Sequence, residues 1–295
     1  MPIQTSLEHT TIRSNGVNLH IVLAGSPQGQ PVILLHGFPE FWYSWRNQID
    51  AMVAAGFRLI IPDQRGYNLS DKPTDPAAYN LDQVAADVIG LIDHFGLEKI
   101  DMIAHDWGGA AAWWTANKYP ERLRRLAVLN VPHHRAFGDA LRKSASQRRK
   151  SLYMRFFQMK TLPELLIRFG RGALLAPWAF RGTSAFTPKD IRLYQQAWMQ
   201  PGAATGMLNW YRAGRPSKLP SWRITVPTLL IWGRGDFAFS PELAPASIDY
   251  CDDGRYVYLD HATHWVQHDA PEEVNHLLIE WLRDGIVSRE GEGRM

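Results

Sequence analysis

The chain is short of several things, and each shortage excludes something. There is one cysteine, Cys251, in 295 residues. No internal disulfide and no cysteine-built metal site can form, and Cys251 reads as an inert thiol rather than a nucleophile. HExxH is absent too, so no metal is expected. No apolar run is long enough to span a bilayer. The N-terminal stretch MPIQTSLEHTTIRSNG is polar and has no signal-peptide core, so a cytoplasmic location is the expectation and no membrane partner is foreseen. A formal net charge of +3 is too small to argue for nucleic acid, and the basic residues form no single block. The cluster Arg142–Lys143 with Arg148–Lys150 reads as a solvated helix face. No internal repeat is present.

Apolar residues make up 45% of the chain and charged residues 21%, the balance of a globular enzyme. Aromatic residues are plentiful: 12 Trp, 12 Phe and 10 Tyr fill cores and can also line an apolar pocket. Strand-like and helix-like stretches alternate through the first 131 residues. A hairpin turns at Ser14-Asn15-Gly16 between strands spanning Ile12–Gly25. Buried-strand runs follow at Pro31–His36, Phe57–Pro62, Ile100–Ala104 and Arg124–Val131, with helices expected at Phe41–Ala55 and Leu81–Phe95. This alternation predicts a doubly wound α/β sheet. It stops at Pro132. Residues 132–219 are helical in composition, punctuated by Gly and Pro, and read as an insertion folding over the sheet. Strands resume in 220–295 with Val226–Gly233 and Arg255–Asp260. A closing helix is expected over Pro271–Arg283 with Asp269 as its cap, and the polar tail SREGEGRM is expected to be disordered.

The chemistry centres on KIDMIAHDWGGAAAWW, Lys99–Trp114. An apolar strand turns sharply at His105-Asp106-Trp107 and becomes an Ala-rich helix. Ala104 and Gly108 lie two residues before and after Asp106, the spacing of a nucleophile elbow, whose tight turn admits only small neighbours and exposes the residue at its tip. That residue is usually Ser; here it is Asp106. A carboxylate at a helix N-terminus stays ionised. It can displace a leaving group from an alkyl carbon and become an ester, which water must then attack at Asp106 itself.

In an open α/β sheet ligands gather beyond the carboxyl ends of the strands. Polar residues stand there at His36-Gly37-Phe38, Asp106, Asp236 and His264. Nucleophile, acid and base follow the chain order of α/β-hydrolases. His264 is the expected base for the water, with His261 as its rival, and Asp236 would hold the imidazole in the right tautomer. The backbone N–H groups of Phe38 and Trp107 are the expected oxyanion donors.

With these residues in place, the chain resembles the α/β-hydrolase-fold epoxide hydrolases over nearly its full length. The likeness rests on HGFPEFWYSWR (His36–Arg46), DQRGY (Asp63–Tyr67), HDWGG (His105–Gly109) and HWVQHDAPEEVN (His264–Asn275). It implies a mostly parallel eight-stranded sheet flanked by helices, with a helical cap, and a cofactor-free reaction between a small epoxide and water, in a monomer or homodimer. It also implies roles for two cap tyrosines, Tyr153 in YMRFFQ and Tyr211 in LNWYR. An epoxide leaves as an alkoxide and needs a proton or a strong hydrogen bond, which a neutral phenol supplies. Haloalkane dehalogenases share the Asp and His and remain the alternative; halide leaves without a proton. In this reading His36, Trp42 and Trp210, with Phe38 and Trp107, form pocket wall suited to aryl or alkyl epoxides. Glu40 and His133–His134 receive no role.

Overall fold

The computed structural model of the chain describes residues 3–214, 216–219, 221–287 and 293–294. The strands are β1 (Leu7–Ser14), β2 (Val17–Ala24), β3 (Gln30–Leu35), β4 (Phe57–Pro62), β5 (Ile100–His105), β6 (Leu123–Leu129), β7 (Thr228–Gly233), β8 (Gly254–Leu259) and β9 (Gly293–Arg294). They join in one sheet in the order β1-β2-β4-β3-β5-β6-β7-β8-β9. Strands β3 to β8 run parallel, and β1, β2 and β9 pair antiparallel at the two edges. The eight strands of the expected fold are therefore present, and a two-residue ninth joins the edge. That ninth strand corrects part of the expectation for the tail: Gly293 and Arg294 pair with Tyr256 and Arg255. The other tail residues, 288–292 and 295, lie outside the described residues.

The hairpin turns where expected, with Asn15 and Gly16 both at positive φ, 44° and 80°. That is the twist a two-residue turn needs. In β3, side chains alternate between two cores: Ile33 and Leu35 face one side of the sheet, Val32 and Leu34 the other. Burial on both faces explains the near-continuous apolar runs. Helices α1 (Ile49–Ala54) and α13 (Pro271–Asp284) cover one face; α2 (Leu81–His94) and α3 (Asp106–Lys118) cover the other.

The single helix expected over Phe41–Ala55 is two pieces, a 3₁₀ turn at Trp42–Trp45 and then α1. Contacts to other parts of the chain anchor the start of the turn and the residue before α1. The Trp42 N–H donates to Asp63 Oδ1 at 2.9 Å, and Gln48 Nε2 donates to the Gln267 carbonyl at 3.0 Å.

Between β6 and β7 the described chain is helical: α4 (His134–Lys143), α5 (Ala145–Lys150), α6 (Leu152–Phe157), α7 (Leu162–Arg168), α8 (Leu175–Ala179), α9 (Pro188–Trp198) and α10 (Ala203–Arg212). This layer sits over the carboxyl ends of the strands and is pinned there by polar contacts. Trp198 Nε1 donates to the Pro39 carbonyl at 2.5 Å, Trp210 Nε1 to the Arg65 carbonyl at 3.0 Å, and Tyr194 Oη to Glu40 Oε1 at 2.7 Å. Helices α11 (Leu243–Ile248) and α12 (Val266–Asp269) complete the set. The chain order reverses between β3 and β5, so the loops after these strands frame the crevice where an α/β sheet binds ligands.

Candidate active site

Asp106 ends β5 and opens α3 with φ +48°, the left-handed backbone that side chains rarely adopt. Packing holds it there. A Cβ on Gly37 would strike the Asp106 side chain, and a Cβ on Gly108 would strike the carbonyls of Leu35 and His36. The small residues at the elbow are thus required by the approach of the loop after β3. That approach lets the Phe38 N–H donate to Asp106 Oδ1 at 2.7 Å. Burial works against charge on Asp106. The imidazoles of His264 and His105 and the Phe38 N–H outweigh it and hold the carboxyl below its usual range.

His264 lies in the loop after β8, almost fully buried. Its Nδ1 donates to Asp236 Oδ2 at 2.9 Å, and its Nε2 stands 3.6 Å from Asp106 Oδ2. Burial pulls the imidazole down. The charge of Asp236 and the contact with Asp106 more than offset this and raise it to about 10. At neutral pH the ring is a cation between two carboxylates. His261, the rival base, is exposed and pairs with Glu273 at 2.9 Å.

Asp236 accepts four hydrogen bonds. Oδ2 takes those of His264 and, at 2.8 Å, Asn130 Nδ2; Oδ1 takes the backbone N–H groups of Ala238 at 2.6 Å and Phe239 at 2.9 Å. With every lone pair occupied, the carboxylate keeps one orientation.

Above Asp106 is a cavity of about 570 Å³, lined among others by Trp107, Tyr153, Trp210, Tyr211 and His134. The rings of Tyr153 and Tyr211 are 6.1 Å apart, and the Tyr211 ring meets the edges of Trp107 and Phe38 at 5.0 and 5.3 Å. Both phenols are pushed well up, first by burial. The charge of Asp106 adds to this for Tyr153; for Tyr211, Tyr153 and then Asp106 add to it. Both are neutral donors at any ordinary pH. His134 faces the cavity as a neutral ring. Burial lowers it to about 4, and its Nε2 donates to the Ala110 carbonyl at 2.9 Å. His133 is buried below, its amide on Ser247 Oγ.

The structure thus gathers Asp106, His264, Asp236, Phe38, Trp107, Tyr153, Tyr211 and Trp210 in one place. Two expected wall residues lie elsewhere. His36 is completely buried beneath the loop after β4, its Nε2 accepting from the Gln64 N–H at 3.1 Å and its ring against Tyr67 at 4.7 Å. Trp42 packs at the β1–β2 edge against His9 and Tyr43, at 5.4 and 5.6 Å. Neither lines the cavity. Asp269 is not the cap of α13 either. It accepts from the Thr263 N–H at 2.8 Å and from the Thr263 and Thr183 hydroxyls, tying the base loop to the helical layer.

Two supports were missed in the sequence. One is Asn130, at φ +46° just past β6, which steadies Asp236; an Asn at a strand end before Pro132 was its only signal. The other is a buried cluster around Glu40. Its carboxylate takes His268 Nε2 at 2.8 Å and the Tyr194 hydroxyl, with Gln267 Nε2 at 3.3 Å. Gln267 also donates to His105 Nδ1 at 3.2 Å. This leaves His105 Nε2 to carry the proton and donate to the His264 carbonyl at 2.9 Å. A buried carboxylate is thereby linked to the backbone of the base.

A profile of the alpha/beta hydrolase fold matches residues 30–271. The AB hydrolase superfamily protein YfhM of Bacillus subtilis (strain 168) is 44% identical over 278 residues, 92% of this chain and 97% of that protein. Epoxide hydrolase 2 of Caenorhabditis elegans is 34% identical over 96% of this chain and 82% of its own length. Among solved structures, the epoxide hydrolase of Bacillus megaterium in complex with an inhibitor superimposes with a TM-score of 0.84 at 30% identity, over 93% of this chain and 100% of that one.

Proposed function

This chain belongs to the α/β-hydrolase fold family and is an epoxide hydrolase, and we propose that it opens its substrate through a covalent ester on Asp106. The observation that carries this reading is the placing of a charged Asp106 and two neutral phenols, Tyr153 and Tyr211, on one cavity. Asp106 attacks an epoxide carbon, the ring C–O bond breaks, and the oxygen takes a hydrogen bond from each phenol and a proton from one. Hydrogen bonds from preorganised donors at a developing oxyanion are worth most in such a water-poor site.

Esterification removes the charge of Asp106, one of the two that raise His264. The imidazole then falls toward neutrality, gives its proton up to restore the phenol, and becomes a base only once the ester exists. It takes a proton from water, the resulting hydroxide adds to the ester carbonyl, and the Phe38 and Trp107 N–H groups hold the oxyanion. Collapse expels the second oxygen of a vicinal diol, which takes the proton of the newly formed carboxyl group, and Asp106 and the His264 imidazolium are restored as a charged pair. Epoxide and water are consumed; no cofactor enters.

Single turnover in ¹⁸O-water tests this. Label is expected in the Asp106 carboxylate, found by mass analysis of its peptide. Label confined to the diol would mean direct attack by water. Diol and halide assays run side by side separate the dehalogenase alternative, which requires halide without diol.

A further inference from the structure

The helical layer carries a surface the proposed chemistry does not use. Seven of the nine large hydrophobic side chains exposed among the described residues fall between Leu152 and Leu174, with Phe169 at 66%, Leu165 at 59% and Leu152 at 54%. Concentration of this kind marks a contact surface, whereas scattered exposed apolar residues are ordinary. Arg155, Lys160, Arg168 and Arg171 are interleaved with them and exposed, and none has a carboxylate partner among the described residues. The one acid of the stretch, Glu164, is already paired with Arg212.

We propose that the surface from Leu152 to Leu174 docks on an anionic lipid bilayer and draws lipophilic epoxides from it. Unpaired cations among apolar side chains suit an anionic interface, where the cations meet headgroups and the apolar groups enter the acyl boundary. They suit a second copy of the chain poorly, because a two-fold interface would set the same cations against one another. The absence of a membrane-spanning helix among the described residues does not bear on docking by a surface. The expectation of no membrane partner rested on the lack of a spanning run and of a signal-peptide core, neither of which bears on a docking surface.

The same surface holds an apolar groove of about 470 Å³, lined by Leu152, Leu166, Leu174 and Trp178 and reaching Tyr153, which also lines the catalytic cavity. A hydrophobic epoxide leaving the acyl layer would meet that groove first. This part of the inference rests on the epoxide reading; the docking does not.

Co-sedimentation with vesicles tests the docking. The full chain is expected to sediment with phosphatidylcholine vesicles containing about a third phosphatidylglycerol, weakly with pure phosphatidylcholine, and to be released at roughly 1 M salt. The double variant Leu165→Asp/Phe169→Asp and the charge variant Arg168→Glu/Arg171→Glu should each bind at least about tenfold more weakly. Their hydrolysis of water-soluble styrene oxide should be unchanged, and their rates on a long-chain alkyl epoxide held in the anionic vesicles should fall about tenfold. Absence of binding, equal binding to both vesicles, or unaltered binding by the double variant overturns the docking. So does a dimer, seen by sedimentation velocity, that the double variant dissociates. Failure to form diol from any epoxide overturns the catalytic reading and leaves the sedimentation result standing.

Discussion

His264 Nε2 stands 3.6 Å from Asp106 Oδ2, too far for a good hydrogen bond and close enough for each to hold the other charged. The geometry leaves His264 able to serve a water at the Asp106 carboxyl carbon without occupying the oxygen that attacks. Replacing His264 with Gln should therefore leave ring opening intact and block the second half of the reaction. The expected result is a stoichiometric burst of epoxide loss, a persistent adduct on the Asp106 peptide, and steady turnover lower by roughly 10²–10⁴. Rapid quench with peptide mass analysis reads all three. Undiminished turnover would show that the base is another group.

The charge on His264 also enters stability. Its folded pKa of about 10 lies above the ordinary value of about 6.5, so its contribution is whole below pH ~6.5. The contribution is lost as the pH rises through about 10. Urea unfolding near pH 6 and near pH 10 should show the parent losing more stability across that window than His264→Gln, which lacks the titration while sharing all the others. Equal losses in both proteins would mean that His264 is not a raised cation in the folded state.

Tyr153 and Tyr211 come from different helices, α6 and α10, yet face one cavity with Asp106. Each →Phe change removes a hydroxyl and little packing. Either should slow ester formation by roughly 10²–10³, the cost of losing one donor to a developing oxyanion, and the pair together should abolish it. Thermal unfolding should move little. Single variants that open epoxides at the parent rate would assign these phenols to packing.

The elbow was legible in sequence because its constraint is steric and local. The loop after β3 passes so close that Gly37 and Gly108 admit no Cβ, and this leaves small residues at fixed distances from Asp106. Asp236 and His264 were legible for another reason: each follows an apolar strand, at the end of the sheet where ligands gather, in the chain order acid then base. Where the chain goes after a strand is not written in spacing. His36 and Trp42 follow the same strand as Phe38, but one turns under the next loop and the other to the sheet edge. Nor does composition show that contacts at Trp42 and Gln48 break a helix-like stretch in two, or that Asp269 serves the base loop rather than α13.

Asn130 belongs to that illegible part, and its role can be measured. It donates to the carboxylate oxygen that also holds His264, and its own Oδ1 takes the Gly233 N–H at 2.8 Å. Asn130→Ala should free Asp236 to turn and slow ester hydrolysis about tenfold or more, with ring opening kept; losing a buried hydrogen bond to a charged group costs about 1.5–3 kcal/mol. A pH profile of single-turnover ester breakdown should shift along with the rate. A drop in stability without either change would make Asn130 a structural residue only.

The Glu40 cluster joins parts of the chain that lie far apart in sequence, and breaking it should show as lost stability. Glu40 is 1% exposed, and it meets His268, 228 residues away, and Tyr194 of α9. Burial opposes its charge; the hydrogen bond from His268, itself lowered to about 4 by burial and so a neutral donor at pH 7, leads the contacts that outweigh this and keep the carboxyl below its usual range. The folded carboxylate is thus stabilised above the ordinary pKa of about 4.3, and its contribution disappears as the pH falls through the lower folded value. Glu40→Ala would leave the Tyr194 hydroxyl and the His268 and Gln267 donors buried without their acceptor. Removing one member of such a set costs about 3–5 kcal/mol. Urea unfolding of Glu40→Ala at pH 7 should show that loss, and on acidification toward pH 4 the gap between parent and variant should begin to close. Glu40→Gln keeps one acceptor oxygen and should recover part of it. A variant as stable as the parent at pH 7 would mean that these contacts do not hold the helical layer to the sheet.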